Sequence, residues 1–146
     1  MLKIGDEAPG FEATDQFGQI HLLSGYRGGW VVLYFYPKDE TPGCTVEASA
    51  FRDVYRELRR KAAVLGVSAD SLESHEKFAE RHLIPYPLLS DPERHIIGAY
   101  GAEESMLGSR ITFLIDPEGK IAEIYDNVVP EWHAEEILRD LAVEAV

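Results

Sequence analysis

The chain has 146 residues, of which 45% are hydrophobic, and this length and composition are typical of one domain with an ordinary core. A formal net charge of −12 disfavours nucleic acid and anionic membranes as partners, because neither offers counter-charge to a net anion. The single cysteine excludes an intrachain disulfide and a thiolate-rich metal site. We therefore predict one domain over residues 1–146.

The first residues and the longest apolar run give an expectation for where in the cell the protein is located. Residues Met1–Asp6 form no apolar signal segment. The longest apolar run, Trp30–Tyr36, is far shorter than the ~20 residues that a membrane helix needs. We therefore expect a cytoplasmic protein. The five histidines show no close metal-ligand spacing, and we expect no bound metal.

The N-terminal third of the chain favours strands. Residues Phe11–Thr14 and Gln19–Leu23 flank a turn sequence and predict a β-hairpin. The continuous β-branched and aromatic run Trp30–Tyr36 is typical of a strand buried on both faces of an α/β sheet. A polar loop over Pro37–Gly43 is predicted to follow it.

From Cys44 the pattern becomes helical, because apolar residues recur every four positions. The predicted core-facing stripe is Val46, Ala50, Val54 and Leu58, widened by Phe51 and Tyr55. The later predicted elements are a strand over Ala62–Val67, a helix over Leu72–His82, a short strand at Leu88-Leu89, a short helix within Asp91–Tyr100, a hairpin of Ile111–Ile115 and Ile121–Tyr125, and a helix over Pro130–Val143 with Pro130 near its first turn.

This element order predicts an α/β protein with a thioredoxin-like fold. A β-α-β unit followed by a hairpin and a final helix builds a central mixed sheet flanked by helices. The first two strands add an N-terminal β-hairpin.

The start of the predicted helix carries the chemistry. Thr41 is a good N-cap and Pro42 suits the first helical position, so Cys44 becomes the third helical residue. We expect the Thr41 hydroxyl to face the Cys44 amide. Free backbone N–H groups and the helix dipole there favour the thiolate, which is the form that attacks an electrophilic oxygen. Gly43 allows another molecule to approach the backbone closely.

These residues resemble a known family. Pro37, Thr41 and Cys44 match the Pro-x-x-x-Thr-x-x-Cys signature of the peroxiredoxins. The wider string FYPKDETPGCTVEASAFRD is similar to the bacterioferritin comigratory protein, or Q-type, subfamily. Four further strings resemble family segments in the same order: IGDEAPGFEATDQFG, GVSADS, YPLLSDP and SRITFLIDPEGKI.

The resemblance implies a role for each matching residue. Cys44 corresponds to the peroxidatic cysteine, which attacks the terminal peroxide oxygen and becomes a sulfenic acid. Thr41 corresponds to the residue whose hydroxyl binds and polarises the peroxide. Arg110 corresponds to the arginine that stabilises the thiolate and the developing oxyanion, as aligned donors are expected to do. Pro37 corresponds to the residue that shields the sulfur from bulk water.

Glu47 matches a glutamate that is usual in the subfamily, and it is expected to orient Arg110 or Arg52 at the substrate site. An exposed helical acid near a helix N-terminus is the alternative. In the alternative interpretations, Thr41 is only a helix cap and Arg110 is only an exposed charge at a strand end.

The chain departs from the subfamily at two places. Many Q-type members carry a resolving cysteine five residues after the first, and here that position is Ser49. Either the protein is a natural one-cysteine member, or Ser49 is an engineered replacement. The loop over Gly101–Ser109 is also shorter than usual, which bears on the packing around Arg110.

The leading hypothesis is a thiol-dependent peroxidase for hydrogen peroxide and organic hydroperoxides that acts in antioxidant defence. Its reductant would be an external thiol, namely thioredoxin, glutaredoxin or a small thiol. Its oligomeric state would be a monomer or weak homodimer. No cofactor is expected because sulfur carries both electrons. The alternatives are a peroxide-sensing redox switch or a thioredoxin-like binding module without multiple turnover. A thioredoxin-like reductase needs a Cys-x-x-Cys pair, and Thr41 occupies the position three before Cys44.

Overall fold

The computed structural model describes residues 1–104 and 108–145. Within these residues the helices and strands follow one another in the predicted order. The strands are β1 (Glu12–Thr14), β2 (Ile20–Leu22), β3 (Trp30–Phe35), β4 (Ala62–Ser68), β5 (Leu88–Ser90), β6 (Ile111–Ile115) and β7 (Ile121–Tyr125). The helices are α1 (Pro42–Leu58), α2 (Leu72–His82), α3 (His95–Ala99) and α4 (His133–Glu144), and a turn of 3-10 helix spans Leu23–Tyr26.

Five strands form a mixed sheet in the order β5-β4-β3-β6-β7. Strand β3 pairs in parallel with β4 and antiparallel with β6, so it lies in the middle of the sheet. Strands β1 and β2 form a separate antiparallel hairpin. This is the predicted thioredoxin-like fold with an added N-terminal hairpin.

The central strand faces a different core cluster on each side, because successive side chains of a strand point to opposite faces. Val32 and Tyr34 pack in one cluster with residues of α1, α2 and α4. Leu33 and Phe35 pack in the other with residues of α3 and the N-terminal segment. Burial on both faces explains why the sequence of β3 is continuously apolar. In the described part of the chain, no helix is both long and apolar enough to cross a membrane.

The predictions for two helices need correction. Helix α1 begins at Pro42, as the predicted cap at Thr41 requires, but Val46 is 43% exposed although it was expected to face the core. The buried face of α1 instead carries Cys44, Glu47, Ala48, Phe51 and Leu58. The buried face differs from the predicted stripe because the first two turns of α1 direct the thiol of Cys44 and the carboxylate of Glu47 toward the core. Helix α4 begins only at His133, so Pro130 precedes it and lies outside its first turn.

The sheet brings distant parts of the chain to one end. In the antiparallel register of β3 and β6, Phe35 is opposite Ile111. Arg110 directly precedes β6, and the turn that leads to α1 directly follows β3. The start of β6, the end of β3 and the first turn of α1 therefore meet at one end of the sheet.

Candidate active site

Cys44 lies in the first turn of α1 and is 1% exposed. Pro42 occupies the start of the helix, where its missing N–H costs no hydrogen bond. The amide of Thr45 donates to the carbonyl of Thr41 at 2.9 Å and so closes the first helical turn. The sulfur is thus carried by the segment whose amides lack partners within the helix, as predicted.

The Thr41 side chain does not make the expected capping bond. Thr41 is the N-cap residue of α1, but its hydroxyl donates to the carbonyl oxygen of Lys38 at 2.9 Å instead of accepting from an amide of the helix. The Lys38 carbonyl lies within the same tight turn and takes the hydroxyl hydrogen. The hydroxyl oxygen thereby keeps its lone pairs for another donor.

Arg110, the residue directly before β6, contacts the sulfur of Cys44. Its Nη1 donates to the Sγ of Cys44 at 3.4 Å and to the Oε1 of Glu47 at 3.0 Å. Burial acts to lower the pKa of Arg110, but the adjacent Glu47 and Cys44 outweigh burial and raise that pKa. The guanidinium therefore stays charged beside the thiol.

Glu47 contacts Arg110 and is completely buried. Its second oxygen, Oε2, has no hydrogen-bond partner among the residues that the structure describes. Burial raises the pKa of Glu47 to about 7, against the opposing effect of Arg110. The alternative that Glu47 orients Arg52 is wrong, because Arg52 donates to the carbonyl of His82 at 2.6 Å and pairs with Asp53.

Comparison with known proteins identifies the chain. The model of the AhpC/TSA family matches residues 4–124. Peroxiredoxin Bcp from Bacillus subtilis is 41% identical, and the match covers 96% of this chain and 95% of that protein. The chain belongs to the AhpC/TSA family. Its relatives are named peroxiredoxins, which are thiol peroxidases, so this peroxiredoxin is an antioxidant enzyme that reduces peroxide at the expense of a thiol.

Solved structures agree with the sequence comparison. A mutant of PrxQ from Xylella fastidiosa matches this peroxiredoxin with a TM-score of 0.92 at 34% identity, covering 100% of this chain and 99% of that one. A yeast mitochondrial 1-Cys peroxiredoxin matches with a TM-score of 0.84 at 29% identity, covering 99% of this chain and 77% of that one. The yeast protein has a thiol resolving mechanism via glutathione/thioredoxin systems.

Gly43 has a role that the sequence analysis assigned differently. A Cβ atom at this position would lie 2.5 Å from Nη2 of Arg110. The missing side chain therefore makes room for the guanidinium of this peroxiredoxin, whereas a bound molecule was expected there. Substitution of Gly43 would force the Arg110 side chain out of the position in which it contacts the sulfur.

Three further predictions concern Pro37, Ser49 and the loop over Gly101–Ser109. Pro37 is partly buried and lies two residues after the end of β3, and its shielding role stays a prediction. Ser49 is partly buried in α1. The predicted effect of the short loop over Gly101–Ser109 falls in part on residues 105–107, which lie outside the described residues.

Sequence reasoning missed a buried polar cluster under the turn that carries Thr41. Asp39 was assigned to a polar loop but is 4% exposed, and it pairs with the fully buried His75 at 2.6 Å. A signal was available in the string GVSADS, since its Asp70 accepts from the amide of Asp39 at 2.8 Å. The string was noted only as a family resemblance.

Proposed function

We propose that Cys44 is the peroxidatic nucleophile for hydrogen peroxide and organic hydroperoxides. Its thiolate attacks the terminal oxygen of the peroxide and the O–O bond breaks. Cys44 becomes a sulfenic acid, and the departing oxygen takes up a proton and leaves as water or alcohol. The contact between Arg110 Nη1 and the sulfur at 3.4 Å carries this proposal, because a fixed cation stabilises negative charge as it moves from sulfur to oxygen.

Thr41 is the proposed ligand of the peroxide hydroxyl. Its own hydrogen is engaged by the Lys38 carbonyl at 2.9 Å, so its oxygen can accept only from outside. The terminal oxygen of a hydroperoxide carries its O–H, so a bond donated to Thr41 holds the same oxygen that the sulfur attacks. Pro37, partly buried just after β3, is proposed to limit the access of water.

Glu47 is proposed to hold Arg110 at the substrate site. It bonds the same guanidinium nitrogen that contacts Cys44, at 3.0 Å and with no exposure to solvent. A charge-assisted bond in a buried setting fixes the position of its partner more strongly than an exposed ion pair does.

The sulfenic acid is proposed to be resolved by an external thiol, because position 49 is Ser and the chain has no second cysteine. Candidate reductants are thioredoxin, glutaredoxin or a low-molecular-weight thiol. The similarity to a yeast 1-Cys peroxiredoxin with a mechanism via glutathione/thioredoxin systems supports this assignment. A single free thiol also suits a reducing compartment, and we propose a cytoplasmic location. The enzyme would act as one domain, a monomer or weak homodimer.

The test is intact mass after one equivalent of hydrogen peroxide, followed by trial of the candidate reductants. The reduced chain should gain the mass of one oxygen atom, and each effective thiol should return it to its starting mass over repeated cycles. Oxidation that stops after a single turnover with every reductant would favour the alternative, a peroxide-sensing switch or binding module.

A further inference from the structure

The turn between β3 and α1 is anchored on a buried polar cluster that the peroxide chemistry above does not use. We call it the turn anchor. Its members come from the turn itself and the residue just after β3, from the end of β4, from the loop after β4 and from α2. They are Tyr36, Asp39, Ser68, Asp70, Ser74 and His75.

A direct chain of contacts leads from Asp70 to Thr41. The amide N–H of Asp39 donates to Oδ2 of Asp70 at 2.8 Å. The same peptide unit ends in the carbonyl of Lys38, which accepts from the Thr41 hydroxyl at 2.9 Å. Because a peptide unit is planar and its N–H and C=O point in opposite directions, fixing the N–H fixes the carbonyl as well. Asp70 thus determines where the Thr41 hydroxyl hydrogen is held.

Asp70 is itself held in place. The hydroxyl of Ser68 donates to the same Oδ2 at 2.7 Å, and the hydroxyl of Ser90 donates to the Asp70 carbonyl at 2.6 Å. Ser68 and Ser90 lie at the ends of the neighbouring strands β4 and β5. Asp70 is therefore bonded to the ends of two paired strands of the central sheet.

The side chain of Asp39 gives the turn a second attachment. Its carboxylate accepts from the Tyr36 hydroxyl at 2.7 Å, the Ser74 hydroxyl at 2.9 Å and His75 Nδ1 at 2.6 Å. His75 Nε2 lies 3.0 Å from the carbonyl of Leu89, which can only accept. The imidazole therefore bridges the carboxylate of Asp39 and the backbone of β5 through its two ring nitrogens.

The turn has an unusual backbone that needs such support. Glu40, next to Thr41, has φ of 65°, which lies in the left-handed region that favours glycine. Its carboxylate is held by His82 at 2.9 Å, at the end of α2. A non-glycine residue keeps this conformation when the surrounding structure fixes it, and such residues cluster at functional sites.

We propose that Asp70 is a positioning residue for peroxide reduction, which acts through the Lys38–Asp39 peptide unit to orient the Thr41 hydroxyl toward the peroxide. The inference rests on the proposed function, since it assigns Thr41 as the peroxide ligand. The Asp39–His75 pair holds the same turn from the other side. The charge of Asp70 itself is not required, because what the Asp39 amide needs is an acceptor.

The test measures the rate constant for oxidation of reduced Cys44 by hydrogen peroxide in a single turnover. Asp70→Ala should slow this reaction about tenfold or more, since a misplacement of about 1 Å costs up to about 10² in rate. Asp70→Asn keeps an acceptor oxygen and should restore most of the rate. In a Thr41→Val background, Asp70→Ala should change the rate by less than about twofold, because residues that act through one another are not additive.

Two further measurements separate positioning from loss of structure. Alkylation of Cys44 by iodoacetamide needs no Thr41 hydroxyl, so Asp70→Ala should leave its rate unchanged. Amide hydrogen exchange at Asp39 should become faster in Asp70→Ala and stay slow in Asp70→Asn. Glu73→Ala, an exposed change on α2, is the matched control and should alter none of these values.

Equal slowing by Asp70→Ala with and without Thr41, or no slowing at all, would overturn the inference. If Asp70→Ala fails to fold, Ser68→Ala takes its place, because it removes only the hydroxyl that holds Asp70. It should slow oxidation by a smaller factor, and again only when Thr41 is present. A parent Cys44 that does not react with peroxide would refute the proposed function instead, and the exchange rate of the Asp39 amide would still decide whether Asp70 holds the turn.

Discussion

Arg110 bonds Glu47 through the same nitrogen that contacts the sulfur of Cys44. The buried carboxylate and the thiol thus share one cation. Any change at Arg110 or Glu47 is therefore transmitted to Cys44, and this coupling leads to three of the predictions that follow.

Removal of the shared cation should slow the oxidation of Cys44. Arg110→Ala is expected to reduce the single-turnover rate with hydrogen peroxide on the order of 10²–10³-fold, the usual cost of one preorganised donor. Arg110→Lys should be intermediate, because it keeps the charge but not the planar fork of donors. Arg56→Ala, an exposed change on the same helix as Cys44, is the control. A normal rate in Arg110→Ala would show that another group stabilises the developing charge.

Gly43→Ala should separate rate from stability. The new methyl group would lie 2.5 Å from Arg110 Nη2, so the flexible guanidinium must leave the position in which it contacts the sulfur. Alanine suits a helix better than glycine by roughly 0.5–1 kcal/mol, which opposes the cost of disturbing the buried Arg110–Glu47 pair, so the unfolding temperature should change little. Peroxide oxidation of Cys44 should nevertheless slow about tenfold or more.

Gly98→Ala provides the matched control for Gly43→Ala. It also places a methyl group on a helix, α3, but among the described residues no atom outside its chain neighbours and its own helix backbone lies within 4 Å of that position. Its oxidation rate should equal that of the parent. If Gly43→Ala oxidises as fast as Gly98→Ala, the close approach of Arg110 is irrelevant to the reaction.

Glu47 should make stability depend on pH in a defined direction. Burial raises its pKa from 4.5 to about 7, so the folded state binds this proton more tightly than the unfolded chain does. The stabilisation is complete below about pH 4.5 and is lost as the pH rises through about 7. The loss is at most on the order of 3 kcal/mol, from about 1.4 kcal/mol for each unit of pKa.

Urea unfolding at pH 5 and pH 8 tests this dependence. The free energy of unfolding of the parent, relative to Glu47→Gln, should fall between the two pH values because the amide cannot ionise. Glu57→Gln, at an exposed position of the same helix, should follow the parent. An identical pH dependence in parent and Glu47→Gln would mean that Glu47 ionises without cost in the folded protein.

Ser49→Cys tests the external resolution of the sulfenic acid from the opposite side. Five helical residues separate two Cα atoms by roughly 8–9 Å, whereas a disulfide usually needs less than about 7 Å. The first turn of α1 must therefore open after oxidation, which costs few intrahelical hydrogen bonds. Peroxide should convert the variant to a monomer lighter by two hydrogen atoms, and it should resist overoxidation better than the parent. Sulfinic acid that forms as readily as in the parent would show that α1 is too rigid to open.

The element order could be predicted because each segment carries one clear periodicity. The run Trp30–Tyr36 is apolar throughout, and it became the central strand with both faces covered. Cys44 and Arg110 lie 66 residues apart, and only the resemblance to a family brought them together before the structure did. Sequence motifs could therefore identify the site residues, but they could not predict the contacts between those residues.

The errors share one physical cause, which is contact with partners that the local sequence pattern does not reveal. The Thr41 hydroxyl bonds the Lys38 carbonyl, although cap statistics favour a helical amide. Asp39 is buried because its partners, Asp70 and His75, lie 31 and 36 residues away. Local composition around Asp39 predicts a solvated loop, and only the packing of α2 against the turn reveals the buried pair.

The most direct test of the account is the consumption of hydrogen peroxide by Cys44→Ser in the presence of an external thiol. The parent should consume peroxide over many turnovers. The variant should consume none, while its circular dichroism spectrum and thermal unfolding stay those of a folded protein, because the substitution replaces sulfur by oxygen at one buried position. Substantial turnover by Cys44→Ser would contradict the assignment of Cys44 as the nucleophile and, with it, every role assigned around the sulfur.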